Sequence, residues 1–322
     1  MLETSTLPSP LPVAGPRFSL ARLAPVLALV MVSAVLALRN ENFLTGPNLV
    51  NIVRGISING ILAVGVTYVM LTGGVDLSLG SMVALTGVAA ALFAHPDTYP
   101  VALPIAIGLL MGAVCGLTNG WLVAKAGVAP FIATLGMMAV ARGLALVFSK
   151  GKPVSNLSRS FCALGEDCLS VPVPIVILFA VAIVSYVFLT RTRYGRYIYA
   201  VGGNEAAAHA SGLHVTGIKL LAYTLCGVLS GLAGIIQAAR IQTGQPNAGV
   251  AYELDAIAAA VIGGTSLSGG VGSIGGTILG ALLMGVINNG LDLENVSPYY
   301  QQIVKGAIIV GAVWIDRRFN RR

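Results

Sequence analysis

About ten apolar runs, most of them near the length of a bilayer-crossing helix, occupy this 322-residue chain and leave almost no room for a soluble domain. A hydrocarbon core about 30 Å thick needs about 20 apolar residues per helical span, and somewhat fewer where a helix is short or broken. The runs fall at approximately 21–38, 51–71, 80–94, 101–121, 130–148, 173–190, 216–238, 254–264, 273–290 and 300–315. They predict an all-α, polytopic membrane protein with about ten transmembrane helices. Only 10% of the residues are charged and 56% are hydrophobic, whereas about 25% are charged in an ordinary soluble domain.

The first 20 residues, "MLETSTLPSPLPVAGPRFSL", are rich in Pro, Ser and Thr and are expected to form a disordered cytoplasmic tail. They lack the positive start and small-residue cleavage site of a signal peptide, so the first apolar run is expected to remain a helix. Residues 21–316 then form the membrane domain and 317–322 a basic cytoplasmic tail.

Charge sets the expected orientation. With both termini cytoplasmic, the inner side holds eleven Lys and Arg residues, among them Arg191, Arg193, Arg196, Lys219 and Arg317, and the outer side five. That bias follows the positive-inside rule. The net charge of +7 is thus an orientation signal and not a nucleic-acid footprint. Arg54, Arg142 and Lys305 lie in or near the ends of apolar runs, and snorkelling to the outer surface accounts for Arg54 and Lys305. Glu253, Asp255, Asp292 and Glu294 are expected on outer connections with Glu41, Asp97, Glu166 and Asp167. That acidic face either complements a basic rim on a partner or merely reflects exclusion of positive charge. Cys162 and Cys168 share the outer connection 149–172, where a disulfide and two free thiols are both open.

Several chemistries are excluded. "SKGKPV" lacks the preceding glycine and the Ser or Thr of a phosphate loop, so the chain should not bind or hydrolyse ATP. A GxGxxG match at Gly270, Gly272 and Gly275 follows a lipid-spanning run instead of a strand and reads as a tight turn, not a dinucleotide site. His95, His209 and His214 have no metal-ligand spacing and no carboxylate partner nearby in sequence. Neither a metal site, a cofactor nor a catalytic residue is expected.

Gly108, Gly112, Gly116 and Gly120 recur every four residues and draw a groove along one helix face. Such small-residue stripes let helix backbones approach in lipid. Two glycine-rich breaks, "TGGVDLSLGS" at 72–81 and "GGTSLSGGVGS" at 263–273, interrupt the apolar runs on the cytoplasmic side. Irregular backbone at membrane depth survives only against protein or a water-filled cavity, so Asp76, Ser78, Thr265 and Ser266 are candidate gate or pathway residues. Asp76 is expected to cap the following helix, to face Arg142, or to touch a passing solute.

The longest inner connection, about 191–215, carries "GRYIYAVGGNEAAAHASGLHV". Asn204 is a good N-cap, Glu205 suits a helix N-terminus, the alanines propagate, and Gly212 supplies a left-handed stop. A helix of about two turns is predicted. So short a helix is marginal alone, and its low-bulk face of Ala206, Ala207, Ala210 and Gly212 suits a docking partner as well as an ordinary surface connector.

This segment resembles the cytoplasmic coupling segment of ribose-type sugar permeases, the membrane subunits of bacterial ATP-binding cassette importers. The resemblance extends through "LTGGVDLSLGSMVALTG" at 71–87, "FIATLGMMAVARGLALVFSKGKPV" at 131–154 and the block 251–291. It implies a cytoplasmic ATP-binding subunit docked on Gly203, Asn204, Glu205, Ala206, Ala207, Ser211 and Gly212. It also implies a second permease copy in a homodimer, a periplasmic or extracellular sugar-binding protein, a monosaccharide substrate (ribose foremost) and an inner-membrane location. The alternatives are an ion-coupled secondary carrier, which would need ionisable residues in mid-membrane broken helices, and a membrane scaffold or sensor without solute flux.

Overall fold

The computed structural model describes residues 24–96, 98–168 and 171–319, so the expected tail 1–20 and residues 320–322 lie outside it. In chain order the helices are α1 (Ala24–Arg39), α2 (Gly46–Leu71), α3 (Leu79–Phe93), α4 (Ala102–Ala124), α5 (Pro130–Ser149) and the short α6 (Arg159–Cys162). They continue with α7 (Val173–Arg191), α8 (Arg193–Gly203), α9 (Glu205–Ala210), α10 (Val215–Arg240), α11 (Tyr252–Ile262), α12 (Ile274–Leu293) and α13 (Pro298–Phe319). Each of the ten apolar runs falls on one of these helices, and six (α2, α4, α5, α7, α10 and α12) are long and apolar enough to cross a membrane. Strand is confined, among the described residues, to the two-residue pair β1 (Asp167–Cys168) and β2 (Val171–Pro172) and an isolated bridge between Val154 and Gly244.

The bundle is built around α2, α3 and α10. From Ile56 to Leu71 α2 is buried on almost every side, as is α3 from Leu79 to Ala91. A helix apolar all round has to be enclosed by others. α4, α5 and α7 instead expose large apolar side chains such as Leu110, Val140 and Val184, as lipid-facing helices do.

The glycines set the closest approach. A Cβ at Gly112 would meet the Gly227 carbonyl oxygen and one at Gly116 the Tyr223 carbonyl oxygen, while Gly108 faces Ile235 and Gly120 faces Leu220, all on α10. Backbone touches backbone along this crossing, so helix contact here rests on dispersion between close-packed atoms.

Four charged residues sit otherwise than expected. Arg54 does not snorkel alone: its Nη2 donates to both carboxylate oxygens of Asp167 at 2.8 Å. Lys305 donates to Asp255 Oδ2 at 3.0 Å, and Asp255 is buried in the first turn of α11 instead of lying on an exposed connection. Arg142 does not face Asp76. It donates to the Pro246 and Ala248 carbonyls at 2.7 and 2.8 Å, clamping α5 to the loop after α10. A cation with few counter-charges at hand is well served by bare backbone carbonyls. Cys162 is buried and Cys168 exposed, and both are free thiols; burial, followed by the nearby Glu166 charge, pushes the Cys162 thiol above its usual range.

Candidate functional site

One end of the bundle gathers the connector 191–215 and both glycine-rich breaks. The connector holds two helices where the sequence predicts one. Thr192 opens α8 by accepting from the Gly195 amide at 3.1 Å while its hydroxyl donates to the Phe188 carbonyl at 2.7 Å, turning the chain sharply out of α7. Gly195, Ile198 and Val201 are buried; their i, i+3, i+6 spacing lays one stripe of α8 on the bundle.

Asn204 then breaks the helix with extended backbone and starts α9, its Oδ1 accepting from the Ala207 amide at 2.9 Å. Gly212 adopts φ +80°, and the Gly212 and Leu213 amides return to the His209 and Ala208 carbonyls, closing α9 as a left-handed glycine does. Ala208 is the buried residue of α9. Gly203, Asn204, Glu205, Ala206, Ala207, Ser211 and Gly212 are all exposed. Glu205 has a partner that local reading missed, Lys219 at 2.6 Å.

The first break, between α2 and α3, is fully buried where its polar groups lie. Asp76 Oδ1 accepts from the Ser78 amide at 2.8 Å and from the Ser78 hydroxyl at 2.5 Å. The carboxylate thus folds the residues just before α3 into a local turn, and Ser78 occupies the cap position. Asn119 of α4 donates to Ser78 Oγ at 3.0 Å and to Asp76 Oδ2 at 3.4 Å. In the second break, between α11 and α12, Ser266 Oγ accepts from the Ser268 amide, and the buried Thr265 hydroxyl has no hydrogen-bond partner among the described residues. Asp76 and Ser78 therefore turn towards α4, whereas Thr265 and Ser266 stay within their own break.

What joins the two breaks is backbone. The Gly270 amide donates to the Leu71 carbonyl at 3.0 Å, and a Cβ at Gly269 would press on Gly73 N and Gly202 O, at 2.9 and 2.8 Å. Gly202, near the end of α8, sits so close that a Cβ there would meet the Leu71 carbonyl oxygen, with Gly270 N at 2.6 Å. Tyr199, one turn earlier, donates its hydroxyl to the Gly272 carbonyl at 2.9 Å; burial raises its phenol above the usual range, keeping the proton it donates. The connector is thus hydrogen-bonded to the second break and packs against Leu71, the last residue of α2, where the first break begins. Asn119, Tyr199 and Gly202 are the members of this node that sequence reading missed; the only local sign was the tyrosine-rich "RYIYAVGG" ahead of Asn204.

Fold and site together define a polytopic helical membrane protein in which an amphipathic connector packs beside two backbone breaks, the first largely buried and the second partly exposed. Residues 48–313 match the family described as the branched-chain amino acid transport system permease component. The chain is 46% identical over 299 residues to the ribose import permease of Escherichia coli (strain K12), covering 91% of this chain and 92% of that one. Identity is 45% over 300 residues to the ribose import permease of Bacillus subtilis (strain 168), covering 92% and 93%. It is 33% over 362 residues to the xylose transport system permease of Escherichia coli (strain K12), covering 91% and 92%. No solved structure matches the chain. The chain belongs to this family of permease components. It is accordingly a non-catalytic, multi-pass protein of the bacterial inner membrane.

Proposed function

We propose that this chain is the membrane-spanning subunit of an ATP-driven importer that passes a monosaccharide, ribose foremost, into the cell. Ten membrane helices, both termini in the cytoplasm and a homodimeric arrangement complete the reading, with a sugar-binding protein delivering substrate to the outer face. Ribose is favoured because the two ribose permeases named above are more similar to the chain than the xylose permease is.

The observation that carries the proposal is the contact of α8 with both breaks, through Tyr199 and Gly202. An amphipathic helix bonded to the second break and packed on the residue that leads into the first is placed to transmit a push to both. The exposed residues Gly203, Asn204, Glu205, Ala206, Ala207, Ser211 and Gly212 form the dock for the ATPase subunit. When that subunit closes, α9 and α8 move together, and the breaks carrying Asp76, Ser78, Thr265 and Ser266 open or seal the inner gate. Gly108, Gly112, Gly116 and Gly120 hold α4 and α10 as the rigid frame against which the gate moves. An ion-coupled carrier has no support among the relatives, which are import and transport-system permeases.

Uptake into proteoliposomes tests this. The chain assembled with its ATPase subunit and sugar-loaded binding protein is expected to accumulate sugar only with ATP on the ATPase side. Accumulation by the permease alone, abolished by collapsing an ion gradient, contradicts it.

A further inference from the structure

At the end of the bundle opposite α8, a cavity of about 360 Å³ opens between the distal halves of α2, α11 and α12, beside Arg240 at the end of α10. Small-molecule sites span roughly 300–1,000 Å³, so the space admits a single small solute. Its wall is unusually rich in carboxamides for a membrane bundle: Asn51 and Asn59 from α2, and Asn288 and Asn289 from α12. Ile56 and Met284 supply an apolar side.

Three charged residues line the cavity, Arg240, Asp255 and Asp292. Asp255 holds Lys305 at 3.0 Å and accepts from Asn59 Nδ2 at 3.2 Å on the same oxygen, Oδ2. Asp292 accepts from Gln301 at 2.8 Å. Asn289 exchanges two hydrogen bonds with Asn48, at 3.0 and 2.8 Å. Two acceptors are left over: the carboxamide oxygens of Asn59 and Asn288 are buried and have no hydrogen-bond partner among the described residues. Buried polar atoms are nearly always paired; both residues line the cavity, and turning each carboxamide about its last side-chain torsion presents its oxygen to that space.

We propose that this cavity is a receiving site for a neutral polyhydroxylated solute, in which the Asn59 and Asn288 carboxamides turn towards the solute and their Oδ1 atoms each accept from a substrate hydroxyl. Hydroxyl groups both donate and accept, and carboxamides answer both roles without adding charge. The apolar side faces the C–H surface of the solute. Asp255 is neutralised by Lys305, and the remaining carboxylate, Asp292, shares the wall with the Arg240 guanidinium, so the lining is close to balanced in charge and suits a neutral solute. The proposal deepens the reading of the chain as a sugar permease and rests on it.

Substitution of both carboxamides in the fully assembled transporter tests it, with proteoliposome uptake as the readout. The double variant Asn59→Leu/Asn288→Leu keeps the branching at Cγ, is somewhat bulkier, and removes both acceptors. It is expected to assemble with the ATPase subunit and to lose about tenfold or more in ATP-driven sugar uptake, the scale of one or two buried hydrogen bonds. Parent-level uptake by the double variant, beside a parent that transports, overturns the site and leaves the permease reading intact. A parent that moves no sugar with ATP overturns both. Should the double variant not assemble, Asn288→Ser retains a small polar group without the carboxamide; it is expected to raise KM for uptake about threefold or more, and an unchanged KM overturns the site.

Discussion

At the residue scale, what could be read from the sequence was what is local. Asn204 as a cap and Gly212 as a left-handed stop follow from backbone chemistry within a few residues, and the structure uses both in that way. The ion pairs could not be read, because Arg54 finds Asp167 across 113 positions and Lys305 finds Asp255 across 50. Asp76 shows the intermediate case: its local turn with Ser78 was within reach of pattern reading, its link to Asn119 on another helix was not. Two outcomes are expected from this chemistry. Tyr199→Phe deletes one buried hydrogen bond, worth about 1 kcal/mol, and should shift the gate equilibrium about fivefold; uptake falls while the ATPase subunit still binds. Asp76→Asn keeps an acceptor for the Ser78 amide and should retain folding, whereas Asp76→Leu orphans the Ser78 and Asn119 donors and should lower thermal stability in detergent by about 1–3 kcal/mol.

At the scale of elements, the six helices long and apolar enough to cross a membrane were legible because lipid imposes length and composition on each span separately. α8 was not, because its polar outer face and tyrosines read as a basic anchor and only its buried stripe of Gly195, Ile198 and Val201 marks it as a helix. The glycine stripe on α4 was visible as spacing, but spacing does not name the partner. The partner is α10, which answers with Gly227 and Gly231 at the crossing. Gly112→Val would drive side-chain carbon into the Gly227 carbonyl, an overpacking expected to cost about 1–3 kcal/mol or more. Thermal unfolding in detergent, or the yield of folded protein, checks it; an unchanged midpoint would show that the helices can separate freely. Gly136 has open space around it, so Gly136→Ala is the neutral control.

At the scale of the whole molecule, the account depends on one end of the bundle receiving the solute and the other receiving mechanical force. The Lys and Arg bias predicts that polarity, whereas the contact of α8 with a break distant in sequence could not be read, since nothing local links Tyr199 to Gly272. Glu205 illustrates why the dock has to be tested as a unit. Its pairing with Lys219 is on the surface, with Glu205 56% exposed, and such pairs contribute about 0–1 kcal/mol. Glu205→Arg sets two cations side by side, so the swapped pair Glu205→Arg/Lys219→Glu, which restores the local attraction, is the cleaner variant. It should fold normally and bind the ATPase subunit more weakly, as co-purification would show.

Sidedness is the most direct test of the central claim. Cys168 is exposed at the end of β1 and His209 is exposed on α9, and the proposed orientation puts them on opposite faces of the membrane. With a membrane-impermeant thiol reagent, the native Cys168 should react in intact cells with an opened outer envelope. A Cys168→Ser/His209→Cys variant should react only in inside-out vesicles, and less when the ATPase subunit is bound. Reaction of the His209→Cys variant from the outside, or from the inside with no protection by that subunit, would contradict the account.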